Sequence, residues 1–190
     1  ADAAVSLAAS GTNADVVLGA NVDAEGTISV VADDRIELTG VTRVASVTGG
    51  VTLTADDNAA PGDDGGTVTM ADGSVVDAGS GTVTVTAEGD VTVGGLISTS
   101  AATDAVTVSS DAGAILDGGD TDRDIAAPAG GVDLDAVNGI GAGANGALEV
   151  EIDSIDALNS TAGAIAVREA DDLTVVALTQ SASGDISADT

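Results

Sequence analysis

The sequence predicts an all-β solenoid, in which short parallel strands coil about one axis and stack turn upon turn. Three observations point there: one strand-and-turn phrase recurs along the chain, the hydrophobic residues are small and branched with no aromatic among them, and turn formers fall every few residues. The phrase is a Gly or Ala, an alternating aliphatic and polar strand, then Ala or Ser with an Asp/Gly turn that often leads into a second short strand. Its clearest copy is Gly81-Thr82-Val83-Thr84-Val85-Thr86-Ala87-Glu88-Gly89-Asp90-Val91-Thr92-Val93. The first aliphatic residues of the copies are Ile28, Val51, Val68, Val83, Val106, Val132, Leu148, Ile165 and Ile186, separated by 15 to 26 residues with a mean near 20. Strands of a few residues restated at that period suit one coil of a β-solenoid, whereas a sandwich has no reason to restate one phrase. The expectation is a single solenoid domain over residues 1–190 with coils of about 20 residues. Roughly nine or ten coils, rising about 4.8 Å each, would make a rod of roughly 45 Å. Uneven spacing implies corner loops of varying length.

Each part of the phrase has a physical reason. Val, Ile and Thr are already restricted at Cβ, which suits a pleated strand and costs side-chain freedom in a helix. Alternation turns Val83 and Val85 inward and Thr82, Thr84 and Thr86 outward, so each coil adds two or three aliphatics to an internal ladder. Glycines, 26 in all, with Asp, Asn and Ser between them, supply the bends. A core without Phe, Trp or Tyr must be narrow. One coil cannot bury its apolar side alone, so stability comes from stacking, and the bare end coils are edges that invite pairing.

Charge narrows the partners. Four cationic and 32 acidic residues leave 4 − 32 = −28, yet 44% of residues are hydrophobic, which separates this chain from a disordered acidic tail. Such a charge repels phosphate backbones and anionic lipid surfaces, so nucleic acid is not an expected partner. No apolar run approaches about 18 residues, which excludes insertion into a membrane as a helix, and Ala1-Asp2-Ala3-Ala4-Val5 lacks the features of a signal peptide. The expectation is a processed product or an excised segment. Suitable partners are cations, flanking repeats of the same chain, or another copy of itself.

The phrase at 81–93, the Ala112-Gly113-Ala114-Ile115 and Asn138-Gly139-Ile140-Gly141 steps and Ser183-Gly184-Asp185-Ile186 resemble the repeats of filamentous-haemagglutinin-like large bacterial exoproteins. The resemblance covers nearly the whole chain. It implies a right-handed parallel β-helix in a long adhesin or surface fibre, extracellular or at the cell surface, able to meet a host or neighbouring-cell receptor. Secretion domains of two-partner exoproteins usually carry Asn-Pro motifs, and here both prolines follow Ala60 and Ala127. The piece is then shaft, with a structural or adhesive role. A self-assembling filament or surface-layer subunit that stacks end to end is the alternative.

Right-handed β-helices also include polysaccharide-acting enzymes, and the residues argue against one. There is no His, Lys, Cys or Tyr, so the usual bases, Schiff-base amines and thiol nucleophiles are missing. No cofactor is required, and no catalytic residue stands out. The acidic clusters Asp33-Asp34, Asp56-Asp57, Asp63-Asp64, Asp120 with Asp122 and Asp124, and Asp171-Asp172 are what could hold a ligand. Calcium takes several carboxylate and carbonyl oxygens in loose geometry, and the best candidate is Asp56 and Asp57 facing Asp63 and Asp64 across a short loop. Solvated corner aspartates that cap turns are the plainer explanation. Outward threonines at 52, 54, 67, 69, 82, 84, 86 and 92 could form the flat ladder of an ice-binding solenoid, but the uneven intervals should misalign successive rows. Asn159-Ser160-Thr161 matches the N-glycosylation acceptor pattern, which chance explains. Gly139, Gly141 and Gly143 read as corner glycines, since no Lys follows to make a phosphate loop. Arg35, Arg43, Arg123 and Arg168 are expected to pair locally with carboxylates.

Overall fold

The computed structural model describes residues 2–55, 65–119, 122–141, 146–181 and 183–189. Among them there is no helix, and the strands stack in parallel as a β-solenoid of about 7 turns with about 23-residue spacing. Each turn carries strands on three faces. The first face holds Val5–Ala9, Ile28–Ala32, Val51–Ala55, Val83–Ala87 and Val106–Ser110. The second holds Val16–Leu18, Ile36–Leu38, Val68–Met70, Val91–Val93 and Ile115–Asp117. The third holds Val22–Ala24, Arg43–Ser46, Val75–Asp77 and Gly95–Ile97. Ile125–Ala136 and Leu148–Asn159 then run unbroken round the corner from the third face into the first face of the next turn.

The shorter period expected from the sequence arose because strands of different faces repeat one phrase. Val68 shares a turn with Val51, and Leu148 shares one with Val132, so nine phrases do not make nine coils. On the first face alone the register pairs Val5 with Ile28, Ile28 with Val51, Val51 with Val83 and Val83 with Val106. At about 4.8 Å per turn, seven turns make a rod of roughly 34 Å.

Inward columns on all three faces build the core. Leu7, Val30, Leu53, Val85, Val108, Leu134 and Ala157 stack on the first face. Ile36, Val68, Val91, Ile115, Ile140 and Ile165 stack on the second. Val44, Val76, Leu96, Ile125 and Val150 stack on the third. Nearly all are sealed from solvent, so aliphatic side chains from three faces meet without an aromatic filler.

Corners are held by close approach and hydroxyl caps. A Cβ on Gly81 would lie 2.2 Å from the Gly49 carbonyl oxygen, so only glycine lets these turns stack. Nearby, the buried Ser46 Oγ donates to Gly26 O at 2.7 Å and accepts from Gly49 N at 2.9 Å. All four arginines strap neighbouring coils, as expected. Arg35 meets Asp15 at 3.0 Å, Arg43 meets Asp23 at 2.7 Å and Asp77 at 3.0 Å, Arg123 meets Glu151, and Arg168 meets Glu149 at 2.6 Å.

Candidate metal centre

A carboxylate interrupts the inward ladder of the second face. Ile115–Asp117 alternates so that Ile115 and Asp117 both point inward. Asp117 stacks on Val93, in the column that Leu18, Leu38 and Met70 fill on earlier turns. It is 7% exposed. Its Oδ1 accepts from Gly119 N at 2.8 Å, while Oδ2 is buried with no hydrogen-bond partner among the described residues.

Two more carboxylates meet it from the third face. Asp124 directly precedes Ile125 and is 3% exposed. Its backbone N–H donates to Glu149 O at 2.8 Å, and its Oδ2 accepts from Glu149 N at 2.8 Å, which fixes it against the next coil. Glu149 is half-buried and takes the Arg168 guanidinium on Oε1. One carboxylate oxygen from each of Asp117, Asp124 and Glu149 lies within 4.8 Å of the others. Beside them opens a hollow of about 330 Å³ lined in part by Asp122, Arg123, Glu149, Arg168 and Glu169. Glu169 is also an inward carboxylate, stacked on Val150 in the third-face column. Burial, ahead of repulsion from Asp171, raises its pKa, and backbone N–H donors led by that of Ala170 work against the rise.

Sequence reasoning reached this place only in part. Asp124 stood in the cluster with Asp120 and Asp122, but Asp117 and Glu149 were not singled out. The parity of Ile115-Leu116-Asp117 was the available signal, because alternation puts the Asp where an aliphatic belongs. Asp56, Asp57, Asp63 and Asp64, the expected calcium ligands, lie outside the described residues. Asp33 and Asp171 serve turns: Asp33 accepts from Gly11 N, and Asp171 accepts from Asp172 N at 2.7 Å.

The other candidates resolve from the register. Thr52, Thr84 and Thr107 align, as do Thr54, Thr86 and Ser109, so the expected misalignment of threonine rows is corrected. Along these rows the extra residues leave at corners and do not shift strand pairing, whereas in the last turn the pairing slips by one residue after Ile155. The rows nonetheless end on Asp133 and Asp135 in the next turn. Those two have raised pKa values, from burial first and then from repulsion by neighbours including Asp156, which follows Asp133 in the ladder. Asn159 is fully buried; its Oδ1 accepts from Gly139 N, and its Nδ2 donates to Ala162 O, Gly163 O and Gln180 Oε1. The acceptor pattern is therefore a corner bracket. Gly139 and Gly141 have φ of 122° and 61°, which suits corner glycines, while Gly143 lies outside the described residues.

No family model, curated protein or solved structure matches this chain.

Proposed function

We propose that this chain is a non-enzymatic shaft segment of a bacterial surface or secreted fibre, supplying length, stiffness and corner loops for display. The observation that supports it best is the parallel ladder that joins coil to coil from Val5 to the strand Ile186–Asp189, because such a fold lengthens simply by adding turns. The side-chain inventory supports the non-enzymatic part, since the chain has no His, Lys, Cys or Tyr for acid, base or nucleophile. The resemblance to filamentous-haemagglutinin-like repeats points to an extracellular setting.

A second reading, a filament or surface-layer subunit stacking end to end, is favoured by the last turn. Thr174–Gln180 and Ile186–Asp189 each pair on one side only among the described residues, and Val175, Val176 and Ile186 are exposed there. Unpaired strand edges of this kind accept a further strand. Immunogold labelling of intact source cells with antibody to the folded chain, together with an immunoblot, tests both readings. The shaft reading expects label on surface fibres and a band far above 17.9 kDa. A band near that mass, with concentration-dependent filaments, favours the subunit. Label confined to the cytoplasm, or polysaccharide cleavage by the purified chain, overturns the proposal.

A further inference from the structure

We propose that Asp117, Asp124 and Glu149 form a structural calcium site that ties the corner after Ile115–Asp117 to the following coil. The inference is independent of the shaft reading. Its starting point is the buried Oδ2 of Asp117, which has no hydrogen-bond partner among the described residues, although a buried charge normally requires one. A neighbouring carboxylate makes that worse unless a cation or a proton lies between them.

Geometry and donor chemistry select the cation. Calcium binds oxygens at about 2.3–2.6 Å, so two of its ligands can stand up to about 5 Å apart, whereas magnesium at about 2.0–2.1 Å allows only about 4.2 Å. The three carboxylate oxygens lie within 4.8 Å of one another, a range that calcium's reach covers in full and magnesium's only in part. An all-oxygen donor set with no His or Cys anywhere in the chain disfavours zinc and copper. Arg168 binds Glu149 through Oε1, so Glu149 comes to the site already held from the coil beyond. Glu149 lines the adjoining hollow, which has room for waters of the kind that complete calcium's coordination. Asp117 and Asp124 belong to one turn and Glu149 to the next, so a bound ion would join two coils where the ladder passes from the second face to the third.

The test is calorimetric titration of calcium, at fixed ionic strength, into the wild type, Asp117→Asn, and a variant with Asp56, Asp57, Asp63 and Asp64 all changed to Asn. Wild type should show a calcium isotherm. Asp117→Asn should weaken it on the order of tenfold or more, since calcium affinity follows the charge count of the ligands. The fourfold variant should keep it, which separates this site from the loop candidate. Circular dichroism in chelator confirms folding of each, and Asp117→Val, the side chain found one turn earlier, serves if the Asn variant does not fold. Calcium affinity unchanged in Asp117→Asn overturns the proposal. So does a wild type that binds no calcium above the sodium control.

Discussion

Truncating the same column at its middle and at its end should separate stacking from simple burial. Leu53 is 0% exposed and lies between Val30 and Val85, while Leu7, half-buried on the first turn, stacks on Val30 alone among the described residues. Leu53→Ala removes three buried carbons, about 2.4 kcal/mol at about 0.8 kcal/mol each, before any cavity forms. The strands above and below are hydrogen-bonded in register and cannot close over the gap, so the cavity raises the total to about 3–5 kcal/mol. Leu7→Ala loses part of the same transfer energy and leaves an open notch that water fills, so about 1–2 kcal/mol is expected. Urea unfolding followed by far-UV circular dichroism gives both values, since the chain has no aromatic fluorophore. An unchanged m-value confirms that the same surface unfolds. Deuterium exchange should show loosening centred on the mutated turn, as nearest-neighbour coupling requires. Equal costs at the two sites would refute the idea that each coil draws its stability from the coils on both sides.

Because burial and repulsion raise the pKa values of Asp133 and Asp135, the folded state holds their protons more tightly than the unfolded chain. Their contribution to stability is then greatest below the ordinary carboxylate value of 3.8 and is lost as pH rises through the raised values. Asp133→Asn should flatten that decline and raise neutral-pH stability by about 0.2–1 kcal/mol, as relief of like charges on adjacent strands does, measured as the midpoint difference from wild type across the pH range. Gly81→Ala places a methyl group 2.2 Å from the Gly49 carbonyl oxygen and should cost about 1–3 kcal/mol or more; Gly19→Ala, whose Cβ would meet Thr39 Oγ1 at 3.5 Å, should be nearly neutral in the same thermal melt. Asn159→Ala strands Gly139 N and the Ala162 carbonyl at a buried corner, with an expected loss of about 2–4 kcal/mol in urea unfolding. Expression in a glycosylating host should leave Asn159 unmodified by mass.

Much of the fold was legible because a solenoid writes its period-2 alternation into every coil. Val83 and Val85 point inward and Thr84 and Thr86 outward, as alternation requires. The corner glycines and the local pairing of all four arginines were legible for the same reason: both follow from chemistry within a coil or between adjacent coils. The number of coils was not legible, because Val68 and Val83 open the same phrase on different faces, and a one-dimensional pattern does not say which face a strand occupies. The candidate calcium site was half legible. Parity turns Asp117 inward, but nothing in sequence brings Asp117 beside Glu149, 32 residues later, until register aligns the coils.

By itself, then, the sequence determined a narrow aliphatic β-solenoid with polar outer faces, because side-chain branching, alternation and turn residues act over a few bonds. Only the tertiary structure decided the three-faced turn of about 23 residues, the alignment of the threonine rows, the burial of Asn159 and the meeting of three carboxylates. Those depend on contacts between coils, among residues about twenty or more positions apart. In such a ladder the backbone hydrogen bonds set the register, and insertions are expelled at the corners.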